Sequence, residues 1–327
     1  MKKLLGTMAL MGALGAGSMA SAQNLSLAYF MGPKHPMNAG VFTPFAEKLA
    51  EVSGGELSVQ MFPGGALNAV PPKQYAILLD GVADIVFALP GYTGDVFPKT
   101  QVVGMPDVCA SATACTEALL NARSELEREY NAKILAIWAN APPVLLTRDK
   151  PVRSMEDLAG MTLRVTNKGD IPFAEALGAS AVVQPVNVIN QNLTNGVIDG
   201  IVIDPSAIRS FKLNEPAKYV TTWFPGSGSA FVLLMNNDTY NGLSEEKRAW
   251  VDAAASDALS RNGGATYDKV AGAGVQLARD SGLEVIELDE AEKTRWNDTI
   301  APALATALEQ PAGDKTVGEI KALMLGE

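Results

Sequence analysis

The chain has 327 residues, with 26 Lys and Arg against 36 Asp and Glu, a formal net charge of −10, one histidine and two cysteines. That length suffices for two domains with large cores. The acidic balance argues against a nucleic-acid partner, and so few His and Cys residues give no metal-ligand cluster.

The N-terminus reads as a cleavable signal peptide over residues 1–22. Lys2 and Lys3 supply the charged region, residues 4–14 are apolar, and Ala20-Ser21-Ala22 fits the small-x-small cleavage rule. With no lipobox cysteine nearby, a soluble exported protein beginning at Gln23 is expected in the periplasm. No later apolar run is long enough to span a bilayer.

The mature chain opens with a strand over 24–30, then a turn-rich MGPKHPMN segment holding His35. An amphipathic helix over 41–52 stops before Gly54-Gly55, and a strand over 56–62 ends at Pro63-Gly64-Gly65. A helix over 72–80 leads into an apolar strand over 85–89 and the loop Pro90-Gly91-Tyr92-Thr93. Cys109 and Cys115 lie six positions apart; a local disulfide is plausible in an oxidising compartment, with two free thiols or a metal pair as alternatives. A helix over 116–130 and strands over 132–138 and 145–147 follow, then a short capped helix over 153–158.

The most informative stretch is 158–203. Strands over 162–165, 181–184 and 197–203 alternate with two short helices, one capped by Asp170 with Pro172 in its first turn and stopped by Gly178. This is the pattern of a parallel sheet covered by helices, whose ligands bind at the carboxyl ends of the strands. "DGVADIVFAL" earlier and "NGVIDGIVID" here repeat one helix–strand scheme, which suggests two similar α/β lobes. Beyond it come a strong apolar strand over 230–235, helices over 243–263 and 267–281, a small strand over 283–287 and a helix over 290–308. The late 230–235 strand is expected to return to the first lobe.

Arg164 sits at a strand end and alternates with Leu163 and Val165, so it faces away from the apolar set. A guanidinium beside a helix N-terminus suits a carboxylate. The competing reading is a surface arginine in a weak ion pair, and the usual exposure of arginine favours it on local grounds. His35 and Tyr92 occupy loops at strand ends, and Trp223 with Phe224 precedes the 230–235 strand; each is either pocket or packing. The sequence holds no phosphate loop, no nucleophile elbow and no catalytic set. An exported hydrolase with His35 as base would need a nucleophile that the sequence does not offer.

Taken in order, the blocks "FAEKLAEVSGGELSVQMFPGGAL", "LLDGVADIVFALPGYTGDVFP", "KPVRSMEDLAGMTLRV", "ALGASAVVQP", "NGVIDG" and "FKLNEPAKYVT" resemble the periplasmic solute-binding proteins of TRAP transporters, the DctP-type proteins. The resemblance covers essentially the whole mature chain, and the block order argues against the binding protein of an ABC-type importer. It implies an α/β, two-lobed periplasmic binding protein fold with a ligand cleft between lobes, hinge strands and a long lobe-spanning helix. It also implies capture of a small organic acid, delivery to TRAP permease membrane subunits, and no enzymatic activity, cofactor or metal. Arg164 falls on the family's arginine in the "G-x-x-x-R-V" block, which pairs with the ligand carboxylate, and so becomes the expected anchor through a two-donor fork. Removing it is expected to cost the unliganded protein little stability, since an unpaired cation in the open cleft is relieved by the change.

The sequence departs from the dicarboxylate pattern at Ile203, where an asparagine is usual, at Val186, where a stacking phenylalanine is common, and over 140–144, where some members carry a second arginine. These changes point to a monocarboxylate with an apolar or hydroxylated body. The expected ligand-binding set is Phe30, His35 and Tyr92 from the first lobe, and Arg164, Asn190, Asp204 and Trp223 from the second. The expected division is lobe I, residues 23–144 plus 231–274, and lobe II, residues 145–230 plus 275–327, in a monomer.

Overall fold

The computed structural model describes residues 23–327. The expected signal peptide, residues 1–22, lies outside the described residues. Strands β1 to β11 are Gln23–Ala28, Leu57–Phe62, Ile85–Ala88, Ala132–Ala139, Val144–Thr147, Thr162–Val165, Ser180–Val183, Gly200–Ile203, Tyr219–Thr221, Ala230–Asn236 and Glu284–Ile286.

They form two main sheets. The first has the order β2-β1-β3-β10-β4 and the second β11-β9-β5-β8-β6-β7. In the first, β1 runs parallel to β2 and β3, while β10 is antiparallel to both β3 and β4. β10 is AFVLLMN, buried at every position. A continuous apolar run of this kind fits a strand covered on both faces, and here it fills the gap between β3 and β4. In the second sheet β6 is parallel to β7 and β8, and β5 is antiparallel to β8 and β9.

The chain passes between the sheets over residues 140–143 and returns over 222–229. The two passages are tied to each other: Asn140 N–H donates to the Ser229 carbonyl at 3.1 Å, and Ser229 N–H donates to Asn140 Oδ1 at 2.7 Å. The 24-residue helix Asp257–Asp280 is a third link. Leu259 and Tyr267 near its start lie in the core of the first sheet, and Ala278 near its end lies in that of the second. Gly274 lets this helix touch the other lobe, because a Cβ there would collide with the Pro205 carbonyl.

The long helix begins earlier than the sequence suggests. The pattern reads as helices over 243–263 and 267–281. Instead the break falls between Glu245–Ala254 and Asp257–Asp280. Gly263 is a packing position: a Cβ there would stand 2.7 Å from Trp138 Cγ, so only glycine lets the helix lie on that indole.

The C-terminal segment also departs from expectation. Residues 275–327 were assigned whole to the second lobe. Trp296 and Ile300 of the helix Glu290–Leu308 do pack there. The chain then turns back, and Ala312, Ile320 and Met324 enter the core of the first sheet beside Val102 and Leu119. Lys99, 4 % exposed, pairs with Glu125 and Asp314 and fixes this return.

Cys109 and Cys115 are joined by a disulfide with Cα atoms 5.1 Å apart, at the start of the helix Ala112–Asn121. Thiol titration of the unfolded, unreduced protein is therefore expected to find no free thiol, and two would refute the bond. The loop is short, so reduction should lower stability by only about 2 kcal/mol on the chain-entropy account, which chemical denaturation with and without reductant measures.

Candidate functional site

The carboxyl ends of the central strands face one another across the two lobes. β1 runs out into Phe30, Met31 and His35, β3 into Leu89 and Tyr92, β6 into Thr166, and β8 into Asp204, Ser206 and Ala207. These residues, with Phe87, Asn140, Arg164, Val186, Ile203, Phe211, Ser229, Phe231 and Tyr267, line one cavity between the lobes.

Arg164 lies at the bottom of the cavity, 1 % exposed. Its Nε donates to the Gln184 carbonyl at 2.9 Å, and its Nη1 to Thr166 Oγ1 at 3.0 Å and the Val202 carbonyl at 3.3 Å. These bonds engage Nε and Nη1. Nη2 takes part in none of them, and Arg164 lines the cavity beside Tyr92. The expectation of a free two-donor fork is therefore corrected: Nε and Nη1 are spent on the protein, so each two-donor edge of the guanidinium has lost one member. So is the expectation that the unliganded protein loses little stability without the arginine, because its loss removes a donor from the buried Val202 carbonyl and from the part-buried Gln184 carbonyl. Burial works against the cation, and Tyr92, Asp170 and Asp204 offset it.

Both acids have raised pKa values. Burial pushes Asp170 up to about 6, against the hydrogen bonds from Asn167 and the charge of Arg164. Asp170 closes a capping box with Asn167, one turn earlier than a simple cap of the following helix. Asp204 is raised by burial while Ser206 and Asn140 lower it. Its Oδ1 accepts from Ser206 N–H at 3.0 Å and from the Ser206 hydroxyl, and its Oδ2 from Asn140 Nδ2 at 2.9 Å.

Tyr92 reaches across the cleft. Its hydroxyl oxygen accepts the Val186 N–H at 2.9 Å, at the start of the helix Val186–Thr194. Burial raises its pKa, so the phenol keeps its proton and can donate it. His35 is also uncharged: burial lowers it to about 4. Its Nδ1 accepts the Met37 N–H at 3.3 Å, which puts the ring proton on Nε2. Its nearest aromatic neighbours are Phe211 and Tyr267, at 6.4 and 6.5 Å between centroids.

Aromatic rings form a continuous part of the wall. Phe30 meets Phe87 at 5.6 Å, Phe87 stacks on Phe231 at 5.4 Å, and Phe231 on Tyr267 at 5.2 Å. Among the described residues lining the cavity, Arg164 is the one permanent cation.

Phe30, His35, Tyr92, Arg164 and Asp204 thus meet in one cavity, whereas Asn190 and Trp223 do not line it. Asn190 lies one helical turn beyond Val186 and donates from Nδ2 to the carbonyls of Phe211 at 3.0 Å and Lys212 at 2.8 Å. Trp223 packs edge-on against Trp296 at 5.9 Å in the core of the second lobe. Phe211, Phe231 and Tyr267 escaped the sequence reading because distant elements carry them in; Asn140 and Val186 were visible only as departures from a pattern.

The chain matches the family model described as DctP, bacterial extracellular solute-binding protein, family 7, over residues 27–310. The protein belongs to the DctP family. Among its relatives, the C4-dicarboxylate-binding periplasmic protein DctP of Rhodobacter capsulatus is 23% identical over 325 residues, covering 98% of this chain and 96% of that one. A marine metagenome TRAP solute-binding protein specific for aromatic acid ligands, solved with 3-hydroxybenzoate, is 30% identical. Its TM-score is 0.82, with 93% of this chain and 98% of that chain covered. A TRAP solute-binding protein from Rhodoferax ferrireducens T118, solved with copurified benzoate, has a TM-score of 0.83 at 24% identity, over 93% of this chain and 98% of that chain. At that identity the likeness speaks for the DctP fold alone.

The depressed His35 pKa has a consequence for stability. An unfolded histidine takes up its proton near pH 6.5, whereas the folded site refuses it until about 4. Over that window the unfolded chain binds more protons, so this residue's contribution to stability falls as pH falls. Melting curves between pH 7 and 4.5 should show the wild type losing more stability than His35→Gln. Parallel loss in the two proteins would contradict the neutral, desolvated ring.

Proposed function

We propose that this DctP-family protein acts in the periplasm, where it captures a small aromatic monocarboxylate and hands it to the membrane subunits of a TRAP permease. The observation that carries the reading is the pairing of one buried cation, Arg164, with a wall of stacked aromatic rings. A single cation suits one carboxylate, and the rings suit a flat apolar body. The 30% identical relative specific for aromatic acids supports the same ligand class.

In this reading the carboxylate accepts from Arg164 Nη2 and from the Tyr92 hydroxyl. Tyr92 comes from the first lobe and Arg164 from the second, so the ligand's anionic end touches both. A ligand bound this way favours the closed arrangement by its differential affinity for it. Closure adds the Tyr92–Val186 bond and seats Gly91 against Asn167, where even an added Cβ would be 3.4 Å away. A C4-dicarboxylate would bring a second charge to a wall that offers it no second permanent cation.

Calorimetric titration with benzoate tests the reading. Wild type should bind benzoate and give no measurable heat with succinate. Removing one partner of a buried charge pair typically costs about 2–5 kcal/mol, so Arg164→Ala should weaken benzoate by roughly one and a half to three and a half decades. Arg164→Lys should recover only part, because an ammonium cannot replace the bonds to Gln184, Thr166 and Val202 together. Both variants should melt below wild type, so titrations are run well under their melting points. Folded Arg164→Ala that binds within about threefold of wild type, under roughly 0.7 kcal/mol, would end the anchor assignment.

A further inference from the structure

Two polar groups in the cavity wall have no use in the protein. His35 Nε2 carries a proton, since Nδ1 is taken up by the Met37 N–H, and it has no hydrogen-bond partner among the described residues. The Tyr267 hydroxyl is likewise without a partner among the described residues, although the side chain is 3 % exposed. The two rings stand 6.5 Å apart, edge to face at 71°.

Both groups are held in place. The His35 loop is braced by His35 N–H to the Gly32 carbonyl at 3.0 Å, and by Asn38, whose N–H at 3.0 Å and Nδ2 at 3.1 Å both donate to the His35 carbonyl. Tyr29 in turn donates to Asn38 Oδ1. The Tyr267 ring is stacked on Phe231 at an interplanar angle of 17° and rides on the lobe-spanning helix. Donors so fixed, facing the cavity and without a protein partner, are open to a ligand or to water.

We infer that His35 and Tyr267 determine specificity by reading an uncharged hydroxyl on the ligand, away from its carboxylate. A hydroxyl matches the pair because it accepts from Nε2–H of His35 while donating to, or accepting from, the hydroxyl of Tyr267. A second carboxylate does not match, because burial keeps His35 neutral and the Asp204 charge already bears on Tyr267. An ammonium does not match either, since protonated Nε2 offers it no acceptor. The inference rests on the arylcarboxylate reading above and narrows it to hydroxylated members. A site whose polar groups are arranged for a hydroxyl discriminates against the analogue that lacks it, because those groups are then left unpaired.

The test is calorimetric titration of wild type, Tyr267→Phe, His35→Leu and His35→Gln with benzoate, 3-hydroxybenzoate and 4-hydroxybenzoate. The readout is the ratio of hydroxybenzoate to benzoate affinity, not affinity alone. Wild type is expected to prefer one hydroxybenzoate by roughly tenfold to a hundredfold, the worth of one or two net hydrogen bonds. Tyr267→Phe and His35→Leu should each bring that ratio toward one, and His35→Gln, which keeps an N–H donor, should retain part of it. Tyr267→Phe preserves the stacked ring, so it decides the question even if His35→Leu fails to fold. Wild type binding all three acids within about threefold, or variants that keep the wild-type ratio, would overturn the assignment while leaving the carboxylate reading intact. Wild type that binds none of the three overturns both.

Discussion

A guanidinium taken almost wholly out of water must be surrounded by groups that make its charge tolerable, and the architecture of the site follows from that requirement. Arg164 comes from the end of β6, and its partners come from the segments on either side: the Gln184 carbonyl after β7 and the Val202 carbonyl on β8. The parallel pairing of β6 with both neighbours brings these carbonyls within reach of one side chain. The carboxylates of Asp170 and Asp204 supply the opposing charge, and burial raises the pKa of each. Arg164 also lines the cavity, so in the proposed reading structure and recognition draw on one residue.

The first lobe answers this cation with neutral groups. Tyr92 stays a phenol and His35 an uncharged imidazole because both are desolvated. Between them lie Phe30, Phe87, Phe231 and Tyr267, whose rings continue inward to Trp138. One side of the cleft thus holds the charge and the other the apolar surface. A ligand with the complementary polarity has one orientation that satisfies both.

The fold was legible in the sequence to the extent that local pattern decides it. Alternation along 162–165 put Arg164 opposite Leu163 and Val165, and the apolar 230–235 run announced a buried strand. The ordered blocks raised Arg164 from a presumed surface residue to the anchor position. What stayed hidden depends on placement by distant elements. Tyr267 and Phe231 follow Arg164 by dozens of residues and reach the cavity only because β10 and the spanning helix return to the first sheet. Asn190 has the residue type of a binding side chain but lies one turn too far along its helix. Gly263 lies inside the spanning helix although glycine weakens helices in isolation, because close packing on Trp138 outweighs that cost. Trp223 was drawn toward the cleft by its neighbours in sequence, and the indole of Trp296 holds it elsewhere.

The return of residues 311–325 to the first lobe has a mechanical meaning. Both ends of the described chain lie on one body, and the other body is built from two separate insertions. The connections at 140–143 and 222–229, the rigid rod of Asp257–Asp280, and the final passage after Leu308 act as tethers in parallel. Several such tethers at separate points remove sliding and free rotation between the bodies and leave bending about a shared axis as the soft motion. Parallel tethers narrow the ways in which two bodies move against each other, so a cleft between them has less conformational entropy to lose on shutting than one between bodies on a single flexible link.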